Sequence, residues 1–388
     1  MKTIQNVIYS DSNNMTAVAD ESIDLVVTSP PYPMIAMWDE IFTGQNGKIG
    51  QALEENDGPA AFELMHKELD KVWDELFRVL KKGSIACINM GDATRTIAGR
   101  FALYPNHSRI QTCMQAIGFS ALPAILWRKQ TNAPNKFMGS GMMPPGAYVT
   151  LEHEYILIFR KGNKREFTTD NEKEVRRESS FFWEERNDWF SDVWMDLKGA
   201  RQNLLDVEAR KRSAAFPFEL PYRLISMFSV KGDTVLDPFS GVGTTLCAAM
   251  AAGRNSVNYE IDPSLGVCVT ATLSNIVDFA NKRIGARLEK HLEFIQDRFK
   301  KKGKFKHSNR HYLFPVMTGQ ETSLLINELK SVRQNSDNTF EVIYADEPQS
   351  EFVGSWDGYV MTKPIGRDKK KPPPKKRRLK PNRQRKLF

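Results

Sequence analysis

The sequence is poor in cysteine: Cys87, Cys113, Cys247 and Cys268 are the four thiols in 388 residues, and they lie far apart. No two share the close spacing of a zinc site, and no disulfide framework can be read from them. The thiols therefore read as reduced and mostly buried, in a cytoplasmic protein without a metal. Long apolar runs are also missing. No stretch of about 18 uncharged apolar residues occurs, which argues against a membrane span. The N-terminus, MKTIQNVIYSDSNNM, lacks the apolar stretch of a signal peptide, which argues against export. Internal repeats are absent. Acid is nearly missing from the C-terminus: from Lys363 to Phe388, 13 Lys and Arg face one acid, Asp368, a net +12. The total is +8, so the preceding chain carries 8 − 12 = −4. A second basic run, Arg298 to Arg310, holds 7 Lys and Arg and no acid. The 363–388 tail has almost nothing to bury and reads as disordered. Its charge suits sequence-independent phosphate binding that falls steeply with salt.

What is present is enough apolar residue, 41%, for one large domain or two ordinary ones. NVIYSD and SIDLVVTSPPY read as strands. Residues 61–80 read as a helix with Met65, Leu69, Val72, Leu76 and Leu80 on one stripe. SIACINM is a strand, Cys113 to Ile117 belong to a helix that Gly118 ends, and ALPAILW and EYILIFR are strands again. Such alternation predicts an α/β sheet. Residues 163–211 break it with dense charge around Phe181, Phe182, Trp183, Trp189, Phe190 and Trp194, and read as a separate lobe or large insertion. Alternation resumes with a helix at 217–230, the strand DTVLD, the helix GTTLCAAMAAG and the strand SVNYE. Residues 270–300 look helical and 301–311 read as a basic linker. Residues 312–362 mix the strand-like HYLFPVM and FEVIYA with a helix near 321–334.

Two motifs carry chemistry. Asp237-Pro238-Phe239-Ser240-Gly241-Val242-Gly243-Thr244-Thr245 follows a strand and opens a helix, and its glycines let backbone approach a ligand closely. It is not a phosphate loop, because no Lys-Ser or Lys-Thr pair follows the last glycine. Glu260 ends the next strand, where a carboxylate can accept both hydroxyls of a ribose or simply face solvent. The second motif, Thr28-Ser29-Pro30-Pro31-Tyr32, also ends a strand. In an open parallel sheet both motifs would face one crevice. An exocyclic base amine is a poor nucleophile, because its lone pair is conjugated with the ring. Two acceptors on the amino hydrogens, Ser29 Oγ and the Pro30 carbonyl, would draw that lone pair out of conjugation. Pro30 and Pro31 hold the carbonyl inward at low entropic cost, and Tyr32 can stack on an extruded base.

These residues resemble the DNA amino-methyltransferases of restriction–modification systems. Their order, catalytic motif ahead of cofactor motif, resembles the permuted β class. The resemblance runs over about residues 1–275. It implies a Rossmann-like α/β fold that uses S-adenosyl-L-methionine, with 1–162 and 212–275 as catalytic core and 163–211 as a target-recognition insertion. Residues 276–362 are then a helical or mixed extension with no recognised match. Ser29, Pro30, Pro31 and Tyr32 are implied to be catalytic. Asp11, Thr28, Phe216, Pro217, Asp237, Phe239, Gly241, Gly243, Thr244 and Glu260 are implied to hold the cofactor, Phe216 and Pro217 ending Arg212-Ser213-Ala214-Ala215-Phe216-Pro217 over its methionine part. Ile125 to Gln130 and Thr150 to Ile156 resemble the walls of the base pocket. Trp127, Lys129, Arg176, Arg177, Arg186 and Arg201 are the implied DNA contacts. Departures are local: Arg212-Ser213 stands where the family often has His-Pro, and Asn258 where glycine is common. Serine at 29 resembles the cytosine-N4 enzymes, whereas adenine-N6 members usually carry Asp or Asn there. A cytosine-C5 enzyme would need a thiol nucleophile after proline, and there is none. Double-stranded DNA is the implied partner, with a restriction endonuclease acting separately and a homodimer as further ones, in a bacterial cytoplasm at the nucleoid. Methylation of glutamine in protein, and a catalytically dead regulatory core, are the rival readings.

Overall fold

The computed structural model describes residues 1–129, 138–197, 216–336 and 338–356. The basic tail and Arg201 lie outside them. At the centre is one ten-stranded sheet. Its strands are β1 (Lys2–Tyr9), β2 (Ile23–Thr28), β3 (Leu80–Met90), β4 (Phe119–Arg128), β5 (His153–Lys161), β6 (Val193–Trp194), β7 (Thr234–Asp237), β8 (Asn255–Glu260), β9 (Leu329–Ser336) and β10 (Thr339–Tyr344). Their spatial order is β6-β4-β5-β3-β2-β7-β8-β1-β10-β9. The five middle strands, β3 to β1, are parallel. β5 is antiparallel to both β3 and β4, and β10 to both β1 and β9. β2 has all six residues buried, as a parallel strand covered on both faces must.

Helices cover both faces. They are α1 (Asp39–Gln45), α2 (Gly47–Glu54), α3 (Gly58–Val79), α4 (Asn106–Ile117), α5 (Asp170–Glu178), α6 (Trp183–Trp189), α7 (Glu219–Phe228), α8 (Thr244–Ala252), α9 (Gly266–Leu273) and α10 (Ile276–Lys302). The apolar stripe expected at 61–80 is the buried face of α3, which Asp57 caps through the Ala60 amide. Gly118 closes α4 in the left-handed conformation at φ 119°. One apolar cluster packs α3 and α4 on one face, and the other packs α7, α8 and α10 on the opposite face. The arrangement is the Rossmann-like α/β fold. Among the described residues no single helix is long and apolar enough to cross a membrane.

Two expectations change. The described part of 163–211 is not a separate lobe: Phe182, Trp194 and Leu197 belong to the same core cluster as Leu25 and Val235, and β6 pairs with β4. Phe182 and Trp194, among the aromatics of that stretch, complete the main core. Residues 321–334 do not form a helix; Leu329–Ser336 is strand β9, paired with β10. The apolar spacing there is helical, yet β1 offers an unpaired edge whose amides and carbonyls need partners, and the β9–β10 hairpin supplies them. Asn281 of α10 fixes its start, bonding the Leu329 amide and carbonyl at 2.9 Å each. Phe314, Val316 and Leu324 enter the same core, so the described part of the extension is integral to the domain. Phe305 and Asn309, in the stretch expected to be a basic linker, are buried as well.

Candidate active site

All five parallel strands end at one edge, and the loops that leave them there are Ser10–Asn13, Ser29–Ile35, Gly91–Asp92, Pro238–Gly243 and Ile261–Asp262. β5 runs the other way and so begins at that edge, with His153 and Glu154. Ligand-binding groups gather at these carboxyl ends because the helix that follows each strand returns over a face and leaves the crevice open.

A cavity opens between these loops. Asp11, Ser29, Pro30, Pro31, Phe216, Asp237, Phe239, Gly241, Thr244 and Glu260 all line it, so most of the residues expected to hold cofactor and catalytic groups meet in one place. Glu260 accepts the Gly241 amide at 2.7 Å and the Asp262 amide at 2.9 Å. Burial pushes its carboxyl up, and the two amides oppose that shift. Gly241 and Gly243 both take left-handed backbone, φ 55° and 83°, which is why glycine stands there. Ser240 Oγ is buried in the wall without a hydrogen-bond partner in the protein, the mark of a site shaped for something polar. A carboxylate at the end of β8, apolar Phe239 and Leu265, and an orphan hydroxyl suit an adenosine-type cofactor.

Three expected residues act differently. Thr28 is 0% exposed and does not reach the cavity. Its hydroxyl donates to Asp237 Oδ1 at 2.6 Å, which also accepts the Phe239 amide at 3.0 Å. Thr28 and Asp237 thus tie the Ser29–Ile35 loop to the Pro238–Gly243 loop. Pro217 stands beside Phe216 but is not in the lining, nor is Gly243, whose part is to start α8. Conversely, Trp38, Ile41, Phe42, Gln45, Leu69 and Val72 wall the cavity, and no motif announced them. Their signal was only an amphipathic stretch, which any core helix shows.

Beside Ser29 lies a polar network that the motifs did not reveal. Tyr32 Oη donates to Glu154 Oε2 at 3.0 Å. Asn89 Nδ2 donates to Tyr32 Oη at 2.8 Å and to Glu154 Oε2 at 2.7 Å. Lys129 Nζ pairs with Glu154 Oε1 at 2.8 Å. Burial, and then the Glu154 charge, pushes the Tyr32 phenol well above its ordinary range, so it stays protonated and able to donate. Tyr32 has one hydrogen, given to Glu154, so the 3.1 Å bond between Ser29 Oγ and Tyr32 Oη must be donated by Ser29. Ser29 Oγ also accepts from Asn89 Nδ2 at a long 3.5 Å, which leaves it a lone pair for a ligand. A Cβ at Gly91 would meet the Tyr32 ring at 2.9 Å, so glycine there lets the ring sit down. Asn89 could have been suspected only as a polar residue inside an apolar strand, whereas Glu154 lies in the Thr150 to Ile156 segment expected to wall the base pocket.

Underneath, Asn106 Nδ2 donates to the Pro33 carbonyl at 3.2 Å and the Gly91 carbonyl at 3.0 Å, while its Oδ1 meets His66 Nε2 at 2.9 Å. Burial is the main cause that lowers His66 from 6.5 to about 4. As pH falls below 6.5 the unfolded chain takes up this proton first, and the folded chain follows only near 4. Stability is therefore lost across that window, by about 3 kcal/mol at most for a shift of this size. The melting temperature of the wild type should fall more steeply between pH 6.5 and 4 than that of His66→Gln. Parallel curves would remove His66 as the cause.

The expected DNA contacts scatter. Trp127 is 0% exposed, and its indole donates to the Leu197 carbonyl at 3.0 Å, so it is core and offers DNA no surface. Lys129 is half-exposed and pairs with Glu154 beside Tyr32. Arg176 and Arg177 lie on α5 in a groove shared with Asp24, Gly83 and Val230, at the amino ends of the strands. Nearby Arg165 pairs with Asp233 at 2.6 Å, just before β7. The cause is topological: β5 is antiparallel to β3, so the chain leaves Lys161 at the edge opposite the cavity. Arg186 is exposed on α6, its guanidinium 5.2 Å from the Phe190 ring centroid.

Comparison with known proteins agrees with this geometry. Residues 23–265 match the N6/N4 methyltransferase family model, described as DNA methylase. The chain is 48% identical over 353 residues to the Type II methyltransferase M.MthZI of Methanothermobacter thermautotrophicus, covering 90% of this chain and 98% of that protein. It is 47% identical over 304 residues to the Type II methyltransferase M.MjaI of Methanocaldococcus jannaschii, covering 76% and 97%. TTHA0409 of Thermus thermophilus, assigned as a DNA modification methylase and crystallised with S-adenosyl-L-methionine, superposes with a TM-score of 0.55 at 30% identity, over 70% of this chain and 94% of that one. With the two motifs at one strand edge and a match over most of its length, this chain belongs to the N6/N4 DNA methylase family.

Proposed function

We propose that this protein is a Type II, site-specific methyltransferase that uses S-adenosyl-L-methionine to methylate the N4 amino group of cytosine in duplex DNA, protecting those sites from a separate restriction endonuclease. The observation that carries the choice of base is the serine at 29, where adenine-N6 members usually have Asp or Asn; Tyr32 and Glu154 hold its hydroxyl as an acceptor. S-adenosyl-L-methionine supplies an electrophilic methyl group when bound, and Glu260, Phe239, Gly241 and Asp11 are the residues that would hold it. Ser29 Oγ and the Pro30 carbonyl accept the two amino hydrogens of an extruded base and turn its lone pair toward attack. Catalysis is then mostly positioning. Glu154 acts through Tyr32 and is a positioning residue. Lys129, half-exposed beside Glu154, is placed to meet a phosphate or the extruded nucleotide.

The test is expression in a methylation-deficient bacterial host, followed by single-molecule sequencing of its genome. A recurrent motif carrying N4-methylcytosine is expected. N6-methyladenine in such a motif would overturn the base assignment while leaving the family intact.

A further inference from the structure

We infer that the tip of the 139–149 loop is a wedge that enters duplex DNA and fills the gap left by the extruded base; this rests on the DNA methyltransferase reading above. β4 ends and β5 begins at the edge where the parallel strands end, with Lys129 paired to Glu154 and Glu154 bonded to Tyr32 beside Ser29. The described turn between them, 138–149, packs through Tyr148 on the hairpin that follows Gly91–Asp92 at the same edge. At its top the chain makes a tight turn: Met138–Gly139 pairs with Ala147–Tyr148, and the Ser140 amide donates to the Gly146 carbonyl at 2.9 Å. Gly139 adopts φ 67°, and a Cβ there would meet the Gly146 carbonyl at 2.1 Å, so the turn depends on glycine. Ser140 Oγ donates to the Met143 carbonyl. The base of the turn is braced by Tyr148, whose ring stacks on Phe101 with centroids 4.5 Å apart and planes 7° apart. Phe101 belongs to a second hairpin, Ala93–Ile97 with Arg100–Tyr104.

On this braced turn Met142 is 85% exposed and Met143 69% exposed. Two long apolar side chains held out in water at the edge that carries the pocket have no packing role in the isolated domain. Their surroundings indicate the occupant: exposed Arg100 lies next to the bracing Phe101, which suits a polyanion, while Arg128 at the root of the segment is paired with Glu152. Extruding a base breaks two stacking contacts and opens a slot one base thick. An unbranched, polarizable thioether can enter such a slot and restore contact with the bases on either side. The pocket and the wedge, on one edge, would act on the same nucleotide.

The experiment compares the wild type, Met142→Ala/Met143→Ala and Met142→Leu/Met143→Leu on two short duplexes. Both carry the motif read from the host genome, one fully paired and one with the target base opposite an abasic site, where extrusion needs no unpairing. The alanine pair should lose at least about tenfold in methyl transfer on the paired duplex and recover to within about twofold of wild type on the abasic one. The leucine pair should stay close to wild type on both. Wild-type turnover by the alanine pair on paired DNA, or the same loss on both duplexes, would overturn the wedge. Failure of the DNA methyltransferase reading is distinguishable, because the wild type would then be inactive on both.

Discussion

Ser29→Ala is expected to lower the turnover of methyl transfer by about a hundredfold, with the dissociation constant for S-adenosyl-L-methionine unchanged. Removing one preorganised hydrogen-bonding group aimed at a developing charge costs about 10²- to 10³-fold in well-studied sites. Here the group is an acceptor with its direction already set. Tyr32 gives its hydrogen to Glu154, Ser29 gives its own to Tyr32, and what remains on Ser29 faces the cavity. Cofactor affinity should hold, because Glu260 and the glycine turn stand on other loops. Radiolabel transfer reads turnover and calorimetry reads cofactor affinity; unchanged turnover would remove Ser29 from its assigned role. Glu154→Gln adds a second reading. A glutamine amide can donate to Tyr32 Oη, which lets Tyr32 donate to Ser29 and occupy a lone pair. Turnover should then fall while cofactor affinity again holds, a split that a purely structural lesion would not produce.

Arg287→Met is expected to cost about 3–5 kcal/mol of folding stability, the usual result of breaking a buried ion pair from one side. Arg287 lies on α10 and reaches Glu185 on α6 with two bonds, 2.6 and 2.7 Å, while Nη1 donates to Tyr222 Oη at 2.9 Å. Both side chains of the pair are buried, so the remaining carboxylate would have neither water nor a cation. Arg287→Met combined with Glu185→Leu should recover much of the loss, since apolar groups of similar volume can replace such a pair. Urea unfolding of the three proteins measures this. If the single variant melts like the wild type, the pair does not hold the 163–197 segment to the C-terminal helix. Next to it, His291 bridges Glu184 at 2.7 Å and the Pro315 carbonyl at 3.0 Å, so three stretches distant in sequence meet there.

Much of the catalytic half was legible before any fold was known. Strand-ending Ser29-Pro30-Pro31-Tyr32 and the glycine turn from Asp237 to Gly243 are local: each sets its own backbone, and each shows its chemistry in consecutive residues. Gly118 and the stripe on α3 are local too. The sequence by itself determined the alternating α/β core, the family and the two motifs that face each other. Only tertiary structure decided the partners of those motifs. Asn89 and Glu154 come from strands whose antiparallel pairing brings a start beside an end, and nothing in either strand states its direction. The same reversal carried Arg176 and Arg177 to the wrong edge for the cavity. Residues 321–334 have helical spacing, but Leu329–Ser336 answers to β10, the strand that closes the open edge of Lys2–Tyr9 more than three hundred positions earlier. Periodicity and motif report what a segment can do alone, whereas direction, edge and register depend on hydrogen-bonding groups that another segment leaves unpaired.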